Sequence, residues 1–150
     1  MDAVSYPDNA VAQFITEKVI PLRVPANAQP LSSDFKVQWT PTLVILDENG
    51  EEHNRTVGYL PPEELLASLL LGISKVAFDN GKYDDAVVQL NTLGMLYPKS
   101  GAAPEALYLK GVAKFKATHD AQLLKQTYEQ LSSQYPDSEW TRRALPYRLL

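Results

Sequence analysis

The sequence predicts an α+β fold that is mostly helical: a small α/β module to about Gly72, then an array of helical hairpins. Three observations predict it. Thr42 to Leu46 is a short apolar, partly β-branched run that flows into Asp47-Glu48-Asn49-Gly50, residues that tolerate positive φ, so a strand followed by a hairpin turn is expected. After Pro61 and Pro62, the apolar residues Leu65, Leu66, Leu69, Leu70, Ile73, Val76 and Ala77 fall at helical spacing along one segment. Farther on, Tyr97-Pro98-Lys99-Ser100 recurs as Tyr135-Pro136-Asp137-Ser138, 38 residues later. A period of that size marks a repeated helical unit.

Taken in order, Asp8 is placed to cap a first helix in which Val11, Phe14, Ile15 and Val19 share a face, and Pro21 stops it. Ile20-Pro21-Leu22-Arg23-Val24 reads as a strand, Pro25 to Pro30 as a loop, and Leu31 to Phe35 as a single helical turn. Thr42 to Leu46 is the next strand, and the chain returns through a strand from about Glu52 to Gly58. Pro61-Pro62-Glu63-Glu64 starts the long helix, with proline in the first turn and acids at the positive end of the helix dipole. That helix runs to Asn80-Gly81 and serves both modules.

Composition narrows the function classes. The 45% apolar and 21% charged content is that of an ordinary globular protein, and no apolar run nears the roughly 18 residues of a membrane span. No membrane partner is expected. The chain has no cysteine, so it holds no disulfide, and with only His53 and His119 available neither a metal nor another cofactor is expected. Residues to Gly72 carry 4 basic and 10 acidic side chains, the rest 10 and 8. The contrast fits modules 1–72 and 73–150, neither basic enough for a nucleic-acid footprint. Met1 to Asp8 lacks a positive segment followed by an apolar one, so no signal peptide is expected and the cytoplasm is the favoured compartment.

Trp39-Thr40-Pro41-Thr42, the apolar strand, the Asp-x-x-Gly turn, the second strand and Gly58-Tyr59-Leu60-Pro61-Pro62-Glu63-Glu64 together resemble the C-terminal half of a thioredoxin-like domain. The resemblance implies that Pro41 is a cis proline and that the Thr40 backbone meets a bound peptide. It also implies a strand and a Cys-x-x-Cys segment ahead of the first helix. Neither is present after Met1, which leaves an incomplete domain with an open sheet edge, suited to pairing with a second copy. The resemblance also allows that Met1 is an internal methionine and that the cysteines lie upstream. Without a thiol, this polypeptide cannot carry out the family's disulfide chemistry.

The second half resembles tetratricopeptide repeats. Ser74, then Gly81-Lys82-Tyr83-Asp84-Asp85-Ala86, then Leu90 and Pro98 fall at that family's spacings. Gly111 and Phe115 fit a second, looser unit in which Lys114 replaces an aromatic and Thr118-His119-Asp120 replaces the Gly-x-Tyr turn. Ser138 to Leu149 is expected to be one closing helix, with Trp140, Ala144 and Leu145 covering the last pair and Arg142, Arg143 and Arg148 facing water.

No constellation in the chain points to catalysis. His119 beside Asp120 is read as a turn with a helix-capping aspartate, and Glu51-Glu52-His53 and Asp84-Asp85 as water-facing charges near turns. The expected function is a non-catalytic protein-interaction module, not an enzyme; the alternative is a truncated thiol–disulfide oxidoreductase. The peptide-binding candidates are Thr40 and Pro41 at the strand start, with Lys75, Tyr108, Phe115 and Lys116 on the groove of the helical array. Val112, Asp79 and Lys82 lie beside them in the repeat register, and an acidic peptide or protein segment is the expected guest.

Overall fold

The computed structural model describes residues 1–150. Asp8 starts α1 (Asn9–Lys18): its Oδ1 accepts from the amides of Ala10 and Val11 at 2.9 and 3.1 Å, satisfying two first-turn donors that the helix cannot. Val11 is fully buried, and Phe14 and Ile15 pack with it against Leu65, Leu66 and Leu69.

The strand expected at Ile20 to Val24 does not form. Ile20 and Leu22 are 99% and 79% exposed, and no backbone group from Ile20 to Val24 bonds to another backbone group. Alternating apolar residues supply a surface, but a strand exists only when a neighbour satisfies its ladder, and the sheet holds two strands, neither of which reaches this segment. The single turn α2 (Leu31–Asp34) follows, and it packs against no other helix or strand.

β1 (Thr42–Leu46) and β2 (Glu52–Val57) pair antiparallel. Leu43 and Ile45 turn toward the α1 and α3 side chains. Ile45 lies opposite Asn54 but Leu46 lies opposite Glu52, so His53 is an extra residue in β2. This bulge breaks the alternation and turns two successive residues, His53 and Asn54, inward.

α3 (Pro62–Asp79) opens with Pro62 at its first turn and Glu63 and Glu64 at the positive end of its dipole. One side buries Leu65, Leu66 and Leu69 against α1 and the sheet; the other gives Leu71 and Ala77 to the core of the helical array. The expected single stripe understates this. Ala67, Gly72 and Ser74 are buried as well, because the helix is covered on two sides. Gly72 is where the sheet rests on the helix backbone: a β-carbon there would meet Ile45 Cγ1 at 2.6 Å and Asn54 Cβ at 3.3 Å.

α4 (Tyr83–Leu96), α5 (Ala103–Thr118) and α6 (Gln122–Gln134) each pack on the helix before. Leu90, Leu93 and Leu131 are essentially fully buried, each contributing about 1.5–3 kcal/mol by leaving water. The sequence repeat is also a conformational one. Tyr97 and Tyr135 end their helices at φ −128, ψ 51 and φ −137, ψ 57, and each amide returns to the leucine four residues back at 2.8 Å.

The last segment departs from expectation. Ser138 to Leu149 splits into α7 (Glu139–Arg143) and a 3-10 turn (Leu145–Leu149), since Pro146 has no amide to continue an α-helix. Ala144 is buried against Leu107 and Leu131, with Trp140 packed beside it, but Leu145 is 49% exposed. Its repeat counterpart Leu107 is 9% exposed because α6 covers it, and nothing in the chain does the same for Leu145. No helix is long and apolar enough to cross a membrane.

Candidate functional site

The loop before β1 is fixed at both ends. The Thr42 hydroxyl donates to the Trp39 carbonyl at 2.6 Å, and the Gly58 amide donates to the Pro41 carbonyl at 2.8 Å, tying the loop to the end of β2. The Thr40–Pro41 bond is cis, as is Gln29–Pro30. Thr40 is exposed, Pro41 half-buried, and Trp39 stands 73% in solvent.

A second polar assembly joins β2 to the helices. Thr56 and Ser68 share a hydroxyl–hydroxyl bond at 2.8 Å, the Lys75 ammonium donates to Asn54 Oδ1 at 3.0 Å, and His53 Nδ1 lies 2.6 Å from Asp79 Oδ2. Ser68, Lys75 and Asp79 climb one side of α3, so β2 lies along the face assigned to the groove. Lys75 also pairs with Glu105 at the start of α5, and Glu64 accepts from the Gly101 amide at 3.0 and 3.2 Å. A small cavity of about 240 Å³ remains between these elements, lined by Thr56, Ser68, Leu71 and Glu105 among others.

His53 was expected to face water with its acidic neighbours. Instead its side chain is 9% exposed and sits between two carboxylates, Asp79 on one side and Asp47 at 3.4 Å from Nε2 on the other. The Asp79 bond is the main cause that lifts its pKa above the ordinary histidine value, with Asp47 adding to it and burial opposing. The Asp47 carboxyl is held below its usual value, first by the Glu51 amide and also by the Asn49 amide and the His53 imidazole. Sequence reading missed this cluster because the bulge that turns His53 inward, and the helix end that meets it 26 residues on, are not local properties.

On α5 the other candidates part company. The Tyr108 ring stacks on Tyr147 at 5.9 Å and lies 5.2 Å from Trp140, and its hydroxyl meets that of Tyr147 at 2.9 Å. Burial, then this bond, pushes the Tyr147 phenol up to about 12. Phe115 is half-buried, edge-on to His119, and Lys116 is exposed one residue on. Burial, then the Lys114 charge, lowers the Lys110 ammonium from its ordinary pKa. Thr40 and Pro41 do not join this surface, since the adjoining β1 contacts β2 and α3 but not α5.

Residues 3–72, just under half of the chain, match a family model described as a thioredoxin-like domain. No curated protein and no solved structure matches the chain. The match ends at Gly72, in the middle of α3, and does not extend into the helical array.

Proposed function

We propose that the chain is a non-catalytic protein-interaction module, a thioredoxin-like domain fused to tetratricopeptide-like helices that take an acidic peptide or protein segment. The observation that carries this reading is that a chain with a thioredoxin-like domain contains no thiol, so thiolate attack by this polypeptide has no nucleophile. The consecutive helices with repeated turns at Tyr97 and Tyr135 support the second part. Since Lys75 is occupied by Asn54 and Glu105, Lys82 and Lys116 are the exposed lysines of the candidate surface left to attract an acidic guest. So small a surface suits micromolar affinity.

Fluorescence anisotropy with a labelled acidic peptide tests it. Reversing Lys82 and Lys116 to glutamate should weaken binding several-fold, through loss of attraction between exposed charges, and leave the circular dichroism spectrum unchanged. Equal binding by the double variant would remove the groove and leave the open edge of β1. The purified chain should not speed insulin reduction by dithiothreitol.

A second reading is favoured by the unpaired, apolar Ile20 to Val24 segment and the uncovered sheet edge. On it, the chain belongs to a thiol–disulfide oxidoreductase whose Cys-x-x-Cys lies upstream of Met1; an in-frame extension carrying that motif would establish it, and a nearby upstream stop codon would dismiss it. Pairing of two copies through the same edge is the related proposal, and light scattering across a concentration series checks it: a constant monomer mass would end it.

A further inference from the structure

We propose that His53 is a proton-operated latch between the β-hairpin and the helical array: charged, it ties the β1–β2 turn through Asp47 to the end of α3 through Asp79, and deprotonation frees the turn. The geometry has the parts a two-position device needs. Both ring nitrogens face carboxylates, Nδ1 at 2.6 Å from Asp79 and Nε2 at 3.4 Å from Asp47, and the side chain is 9% exposed. Only the imidazolium carries two N–H donors.

The two contacts differ in kind. The Nδ1 contact is a short hydrogen bond, whereas Nε2 is buried without a well-aligned partner, so its attraction to Asp47 depends on the ring's charge. Removal of one proton leaves the remaining N–H on Nδ1, where the shorter bond holds it. A bare Nε2 lone pair then faces the Asp47 carboxylate, two acceptors with no proton between them. Asp47 Oδ1 keeps its bonds from the Asn49 and Glu51 amides, both at 2.9 Å, so the turn stays intact and shifts as a unit.

The surrounding charges do not substitute for the proton. On α3, one turn before Asp79, Lys75 is engaged by Asn54 and by Glu105 of α5. On β2, Glu52 is turned to Arg55. The two aspartates therefore set the titration, and they raise it. A basic group with a raised native pKa contributes its full stabilisation below the unfolded value of about 6.5 and loses it as the pH rises through the native value. The latch is thus closed in mild acid and opens toward alkaline pH, whatever the helical array binds.

NMR titration of the full chain tests this. The chain has two histidines, and His119 lies exposed at the end of α5, so the His53 ring signal is assignable by its loss in His53→Gln. The His53 midpoint should lie above about 6.5, and the Asn49 and Glu51 amide shifts should follow the same midpoint. Asp79→Asn should lower that midpoint; this variant keeps the hairpin's own residues and serves even if His53→Gln fails to fold. A midpoint at or below the ordinary histidine value, turn amides that do not move with it, or an unchanged midpoint in Asp79→Asn would each overturn the latch.

Discussion

The backbone of α5 at Gly111 rests directly on the Thr127 side chain of α6, so closely that a β-carbon on Gly111 would stand 2.6 Å from Cγ2 and 2.7 Å from Cβ of Thr127. Thr127 is buried and its hydroxyl is committed to the Leu123 carbonyl at 2.7 Å, so it has little freedom to withdraw. The helices must separate to admit one methyl group.

Gly111→Ala should therefore destabilise the chain by about 1–3 kcal/mol, as overpacking does, seen as a lower urea midpoint with an unchanged slope. Gly94 is the internal control, since it sits in α4 with open space where its β-carbon would go. Gly94→Ala should stabilise by roughly 0.5–1 kcal/mol through helix propensity alone. Equal effects of the two substitutions would mean that α5 and α6 do not approach at Gly111.

His119 ends α5 with φ 60 and ψ 19, the conformation that Gly81 takes with φ 74 at the corresponding turn after α3. A side chain in the left-handed region costs roughly 1–2 kcal/mol, while glycine there adds unfolded-state entropy worth about 0.4–1 kcal/mol. His119→Gly should thus stabilise by about 0.5–1 kcal/mol and raise the melting temperature. Were φ negative at His119, the same substitution would destabilise, so the sign of the shift decides.

Much of the fold was legible where the signal is local. The Asp8 cap, the Thr42–Leu46 strand, the Asp47–Gly50 turn and the proline start of α3 each depend on a few adjacent residues. Ile20 to Val24 misled because alternation predicts a half-buried surface and not the partner that makes it a strand. The closing segment misled because Trp140, Ala144 and Leu145 share helical spacing up to Pro146, which changes the helix type. The occupation of Lys75 by Asn54 and Glu105 was not legible, because it joins residues far apart in sequence. The His53 cluster combined both difficulties, a bulge that sequence does not mark and a partner on another element.

The two halves of the chain should unfold as one. α3 gives Leu65, Leu66 and Leu69 to the core of the thioredoxin-like domain and Leu71 and Ala77 to that of the helical array, so neither core outlasts it. Tyr97, from the end of α4, packs into the first core, and the Glu64–Gly101 and Asn54–Lys75–Glu105 contacts bridge the same boundary. Denaturation followed by Trp140 fluorescence in a Trp39→Phe background, and by exchange of the β1 and β2 amides, should give coincident midpoints. Glu105→Gln breaks a pair whose side chains are 22% and 18% exposed, so its cost should lie between the ~0–1 kcal/mol of an open pair and the ~3–5 kcal/mol of a buried one. That loss should move both midpoints together. A helical array that melts separately from the β-hairpin would show that α3 does not couple them, and the cut at Gly72 would then be a true domain boundary.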